Sequence, residues 1–189
     1  MKLIIGLGNP DARFRGTRHN VGAEVIDRLA EEKGSRLKRK WRARAFVGRI
    51  QIGGRPVTIA KPSTFMNMSG EAVNALMSRE GCGSDDLLVV TDDIHLGLGR
   101  IRIRERGGSG GHNGLESVIS CIGTEDFARL RIGVGPAQGD WVEYVLGRFL
   151  AGERASIEKA EEAAIEAIEE ITLHGISAAM SRFNSERER

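Results

Sequence analysis

Lys2-Leu-Ile-Ile-Gly-Leu7 runs straight into Gly8-Asn9-Pro10, and the next patterned stretch, Asn20 to Lys33, is apolar on one side only. A short continuous apolar run ended by glycine fits a strand buried on both faces of a sheet. Asn20 to Lys33 reads as a helix. Val21, Val25, Ile26 and Leu29 share a face, Asn20 sits where an N-cap belongs, and Gly34 follows the last turn. A doubly buried strand feeding an amphipathic helix is the opening of an α/β fold.

The same alternation continues outward from this pair. Phe46 to Ile52 and Pro56 to Ala60 are β-rich runs joined by Gly53-Gly54-Arg55, a hairpin signal. Ser69 to Ser78 is predicted as a helix capped by Ser69, and Leu87 to Val90 as a short buried strand. Arg100 to Arg104 alternates strictly and reads as a half-exposed strand. Asn113 to Ile122 forms a helix behind a glycine-rich loop, and Leu130 to Val134 a further strand. In Glu153 to Leu173, Ile157, Ala160, Ala164, Ile168 and Ile171 recur at helical spacing among carboxylates. A last helix spans Ile176 to Phe183, and residues 184–189 are expected to be a loose tail. One α/β domain over residues 1–189 follows, with a twisted mixed β-sheet flanked by helices. In such sheets, sites gather where strand ends meet loops. Three segments therefore matter most: Gly8 to His19, Thr91 to Gly99 and Gly107 to Gly114.

Composition narrows the function classes. The 189 residues carry a net charge of only +2, but Lys and Arg crowd the first two thirds while Glu153 to Glu170 is acidic. A basic face with an acidic face turned away suits an anionic partner, although an ordinary solvated surface has the same signature. Cys82 and Cys121 have neither disulfide nor metal-ligand spacing and are expected as buried or partly buried free thiols of a reducing cytoplasm. No signal peptide and no apolar run long enough for a bilayer is recognisable.

Several stretches offer chemistry, each beside a plainer structural reading. Gly6-Leu-Gly8 suggests a dinucleotide loop, but Asp11 replaces the third glycine and Pro10 removes an N–H where a phosphate would need one; a strand-ending turn suffices. His19, just before the first helix, is kept neutral by the helix field and can accept a proton, or is simply a capping or surface histidine. Asp92 and Asp93 end a strand, where a carboxylate can orient an imidazole or make a turn. Gly107-Gly-Ser-Gly-Gly-His-Asn113-Gly lets backbone approach a ligand, with Asn113 offering an amide. In Arg100-Ile-Arg102-Ile-Arg104-Glu-Arg106 the arginines share one strand face, which Arg129 and Arg131 can join; guanidinium pairs well with phosphate. Arg36 to Arg44, around Trp41, is either a contact for a nucleic-acid backbone or an exposed basic loop with a packed tryptophan. Met66 and Asn67 follow a strand and offer a soft apolar contact and an amide, or core packing and a cap.

Together, Gly6-Leu-Gly-Asn-Pro10, Thr17-Arg-His-Asn20, Lys61-Pro-Ser-Thr-Phe-Met-Asn67, Asp92-Asp93, Gly110-Gly-His-Asn-Gly114 and Arg129-Leu-Arg-Ile-Gly-Val-Gly135 resemble the bacterial-type peptidyl-tRNA hydrolase family over nearly the whole chain. The resemblance implies hydrolysis of the ester between a peptide and tRNA, with peptidyl-tRNA held through its 3′ CCA end and acceptor-stem backbone. It implies His19 as general base, Asp92 as the carboxylate that orients it, and Asn9 as a third catalytic group. It further implies Phe14, Met66, Asn67, His112 and Asn113 as substrate contacts and Arg104 with Arg131 as the tRNA phosphate clamp. The implied enzyme is a cytoplasmic monomer that uses no metal or other cofactor. Phe14 stands where many members have tyrosine, so no phenol hydroxyl is offered there, and Asp93-Ile-His95-Leu-Gly97 departs from the commoner loop. The alternative is an RNA-binding relative of the same fold that has lost catalysis; intact His19, Asp92 and Asn113 speak against it.

Overall fold

The computed structural model describes residues 1–137 and 139–185. Seven strands, β1 (Leu3–Gly6), β2 (Lys38–Lys40), β3 (Ala45–Ile52), β4 (Arg55–Pro62), β5 (Leu87–Asp93), β6 (Ile101–Arg104) and β7 (Ala128–Gly133), form one sheet in the order β2-β3-β4-β1-β5-β7-β6. β4, β1, β5 and β7 run parallel, while β2, β3 and β6 join antiparallel at the flanks. Helices α1 (Val21–Glu32), α5 (Ala151–His174) and α6 (Ile176–Ser185) cover one face. Helices α2 (Ser69–Glu80) and α3 (Asn113–Ile122) cover the other, and α4 (Trp141–Leu146) is a short helix beside the 3₁₀ turn Arg18–Asn20.

The core explains why β1 shows no polar alternation. Leu3 and Ile5 pack beneath α2 and α3, Ile4 beneath α1, and all three are fully buried. Each such side chain contributes about 1.5–3 kcal/mol. β6 has one dry face only: Ile101 and Ile103 point inward and Arg102 and Arg104 outward, as its period of two requires.

The parallel strands all finish at the same end of the sheet, at Gly6, Pro62, Asp93 and Gly133, so the loops leaving them converge. Helix α1 is pinned there. Ala23 N donates to Leu7 O at 2.9 Å, and a Cβ on Gly22 would lie 2.3 Å from Val90 O and 3.0 Å from Leu7 O. Only glycine permits this approach, which sets the preceding turn, Arg18–Asn20, directly over β1 and β5.

The structure departs from the sequence reading in a few places. Ser69 is the first residue of α2 and not its cap; a 3₁₀ turn at Met66–Met68 leads into the helix, Met68 takes the cap position, and Ser69 Oγ is buried without a partner. β5 runs on past Val90 to Asp93, because Asp92 and Asp93 pair in register with Ile132 and Gly133. Lys38–Lys40, within the stretch read as basic loop or backbone contact, is an edge strand, and Trp41 is not packed but 72% exposed with Arg39 stacked on its ring. Cys82 is half-buried, whereas Cys121 is exposed. Asn184, expected in the tail, belongs to α6 and exchanges two hydrogen bonds with the backbone of Ile103, covering the open edge of β6. The rest of the expected tail, residues 186–189, lies outside the described residues.

Gly22→Ala is expected to cost at least about 1–3 kcal/mol, the range for overpacking, seen as a lower urea midpoint at unchanged m-value. An unchanged midpoint would show that α1 is not held by this contact.

Candidate active site

The site grows out of the loops at that sheet end. His19 lies in the 3₁₀ turn Arg18–Asn20, buried at 7% exposure, because Thr17, Arg18 and Asn20 are buried around it. Arg18 anchors the turn from below, donating to Arg148 O and Glu153 Oε2 and stacking on Tyr144. Asp92 lies near the end of β5 at 4% exposure. His19 Nδ1 is 3.0 Å from both of its carboxylate oxygens. A carboxylate only accepts, so Nδ1 carries the proton and Nε2 is left with a lone pair. Nε2 has no protein partner among the described residues, and the ring lines a cavity.

Burial alone would push the Asp92 carboxyl up, but His112 and His19 beside it outweigh this and hold it well below the usual carboxylate range. Asp92 is therefore the fixed anion of the site.

Asn20 occupies the cap position of α1 without capping it. Its Oδ1 accepts from Asn9 N at 2.8 Å and its Nδ2 donates to Asn9 O at 3.0 Å, clamping the loop after β1. Asn9 Oδ1 in turn accepts from Met66 N at 2.9 Å, which orients the Asn9 amide and leaves Nδ2 as its open donor. Met66 is buried in the core with its sulfur under Gly114, while Asn67 and Asn113 are exposed on the adjoining turn and at the start of α3. Phe14 is half-buried, with the Arg13 guanidinium over its ring.

His112 caps α3. Its Nδ1 accepts from Gly114 N and Leu115 N, and its Nε2 lies 2.9 Å from Asp92 Oδ1 and 2.6 Å from Thr91 Oγ1. The glycines before it, Gly110 and Gly111, adopt φ of 60° and 83°, which explains that stretch of the glycine-rich loop. Arg131 donates to Asp93 Oδ2 at 3.2 Å and to Gly108 O at 3.0 Å, and so fastens the loop to β5. Arg104 is exposed on β6 but faces Arg129; the residue opposite Arg131 is Arg102. Arg129 is fully buried against Phe127, and burial first, then Arg131, pushes its guanidinium down to about 10.

The cavity thus brings together His19, Asp92, His112 and Arg131 from the sequence-derived set. It also recruits Asp93, His95, Trp141 and Val145, which that set lacked. Asp93 was visible as part of the acidic pair; Trp141 stood out as an aromatic residue of the Gly-rich stretch 136–150, whereas Val145 carried no chemical signal. Asn9, Phe14, Met66, Asn67, Asn113 and Arg104 do not line this cavity.

His19, Asp92 and His112 offer three ligand-type atoms within 4.8 Å of one another. The hydrogen bonds of His112 argue against a metal there. Its lone pair is spent on α3, its proton points at Asp92, and a metal on Nε2 would need the opposite tautomer, setting an Nδ1 proton against two N–H donors. Chemically, the cluster is an imidazole–carboxylate pair beside a cavity, with one ring nitrogen uncommitted, an arrangement able to move a proton.

Fold and site define an α/β protein with a proton-transfer pair at the ends of its parallel strands. Comparison with known proteins says which one: the sequence pattern of the family "Peptidyl-tRNA hydrolase" matches residues 3–189, and the chain belongs to that family. A peptidyl-tRNA hydrolase of Desulforudis audaxviator is 47% identical, covering 99% of this chain and 95% of its own. One of Caldanaerobacter subterraneus is 47% identical over 97% of this chain and all of its own. The crystal structure of peptidyl-tRNA hydrolase from Acinetobacter baumannii superposes with a TM-score of 0.93 at 32% identity, covering 98% of this chain and 95% of that one. The chain is accordingly a hydrolase, and the inactive-relative alternative is not favoured. No helix among the described residues is long and apolar enough to cross a membrane.

The lowered Asp92 carboxyl fixes a sign for acid stability. Its stabilisation is present above the unfolded value, near 3.8, and is lost as pH falls below it toward the folded value. Thermal melts from pH 7 to pH 3 are expected to show wild type losing its advantage over Asp92→Asn below about pH 4. A constant difference would mean that Asp92 is not held as an anion.

Proposed function

We propose that this chain hydrolyses the ester between the peptide and the 3′-terminal ribose of peptidyl-tRNA, with His19 as general base. One observation carries the reading: His19 Nδ1–H is taken by a buried anion, which leaves the basic Nε2 without a partner among the described residues on a ring that borders a cavity. Nε2 removes a proton from water as the oxygen attacks the ester carbonyl. Asp92 stabilises the imidazolium, and the carbonyl oxygen becomes an oxyanion. Collapse breaks the ester C–O bond, and the ribose oxygen leaves with the proton held on His19. The products are free tRNA and a peptide carboxylate. Such base catalysis contributes about 10²–10⁴ in rate. An amide donor aimed at the oxyanion adds roughly 2.7–4 kcal/mol; Asn9 Nδ2, pre-oriented through Met66, fits that role.

An ester is easier to cleave than an amide, so no covalent intermediate is required. Ser109 in Gly107-Gly-Ser-Gly-Gly111 has nucleophile-elbow spacing, but it lies in the loop between β6 and α3 and not on a sharp strand-to-helix turn, and its hydroxyl has no histidine partner among the described residues. Phe14, Met66, Asn67 and Asn113 would contact peptide or terminal adenosine, and His112 would border the substrate from the cavity side. The exposed asparagines can bond the peptide amide, whereas the ammonium of an aminoacyl-tRNA finds no counter-charge on them. Arg131, with Arg104 on its diagonal, is the proposed clamp for a tRNA phosphate. To hold one, Arg131 must share or release its bonds to Asp93 and Gly108. We read the enzyme as a monomer of the cytoplasm.

His19→Ala should lower peptide release by about 10² or more while tRNA affinity stays within about twofold; retained turnover ends the assignment. Arg131→Ala should raise KM and reduce the salt slope of tRNA binding by about one. An unchanged slope removes Arg131 from the clamp and leaves the chemistry standing.

A further inference from the structure

We propose that His112 is a positioning residue that keeps the base unprotonated: α3 locks it as a neutral Nε2–H donor, and by sharing Asp92 Oδ1 it limits the hold of that carboxylate on the His19 proton. The proposal rests on His19 being the general base.

The lock follows from donor and acceptor counting. Gly114 N and Leu115 N only donate, and they lie 3.1 and 3.2 Å from His112 Nδ1. Nδ1 therefore carries a lone pair, and the single proton of the neutral ring sits on Nε2. Protonating Nδ1 would set it against two N–H groups and place a cation at the positive end of α3. The α3 cap thus selects the neutral Nε2–H form of the ring.

The Nε2 proton is forked. One acceptor is Thr91 Oγ1 at 2.6 Å, whose own hydroxyl turns to Asp92 O at 3.3 Å. The other is Asp92 Oδ1 at 2.9 Å, the same atom that faces His19 Nδ1 at 3.0 Å. A lone His–Asp pair has a built-in conflict. The anion that orients the imidazole also stabilises its protonated form, and so raises the pH at which the base becomes available. A second donor on the shared oxygen draws off part of that negative charge. Because His112 is neutral, it does so without placing a second cation beside His19, whose ring lies 4.7 Å away centre to centre.

The other charges around the group are committed elsewhere. On β5 and β7, Asp93 is paired with Arg131. Arg18 is paired with Glu153 of α5, and Glu24 of α1 bonds Gly16 N and Arg154. His95, after β5, borders the cavity; Leu115 of α3 and Trp141 and Val145 of α4 bring no charge. His112 is thus the one neutral donor, besides His19 itself, on the Asp92 carboxylate among the described residues.

Asparagine separates the two duties of His112, since it caps helices well but is too short to keep both the cap and the Asp92 bond. In His112→Asn the His19 pKa, followed by NMR of labelled histidine, is expected to rise by about one unit. The acidic limb of kcat/KM should move up in pH by the same amount, with Tm nearly unchanged. In wild type, the His112 nitrogen shifts should report an unprotonated Nδ1 and a protonated Nε2 from pH 8 down through the titration of His19. A His19 pKa that does not move in the variant overturns the proposal, as does an Nδ1-protonated His112 in wild type, a test that stands even if the variant fails to fold. Absent hydrolysis with the expected NMR shift would instead count against the proposed function and leave this coupling intact.

Discussion

The hydrogen bond from His19 Nδ1 to Asp92 is the constraint around which the rest is arranged. It joins a turn that precedes α1 to the end of β5, residues far apart in the chain, and both partners are nearly sealed from water. A bond of this kind keeps its geometry only if both backbones are fixed. The glycine contact of α1 with Val90 O fixes one, and the in-register pairing of Asp92 with Ile132 fixes the other. The parallel sheet is thus the ruler that sets the spacing between the imidazole and the anion.

Around this bond the polar groups form a chain in which each side chain is oriented by another. Asn20 holds Asn9, Asn9 holds the Met66 turn, and α3 holds His112, which returns to Asp92. Few of these groups are left to choose their own rotamer, which is what a site needs if its donors are to meet a transition state without reorganising. On the β7 side, Arg131 and Asp93 tie the glycine-rich loop to the same sheet end, so a phosphate arriving there competes with an internal ion pair.

Much of this was legible in the sequence. The continuous run Leu3 to Gly6, the faces of α1 and α5, and the hairpin at Gly53-Gly54 carry strong periodic or turn signals, and the structure follows them. His19 and Asp92 were recognisable as candidates, but their meeting is a property of register, which a single sequence does not encode locally. The same limit hid the pairing of Arg131 with Arg102 and of Arg104 with Arg129. Ser69 and Asn20 show another limit: both stand where capping rules put them, yet the preceding 3₁₀ turn displaces the first and a tertiary bond to Asn9 claims the second. The edge strand Lys38–Lys40 was missed because lysine and arginine weigh against a strand, although charge is what protects an open sheet edge.

One titration tests His19 as the base most directly. Single-turnover release of peptide from peptidyl-tRNA, measured against pH, should rise with the same midpoint as the loss of the proton from His19 observed directly by NMR. A rate that ignores that transition, or follows a different group, would show that the imidazole over β5 is not the base.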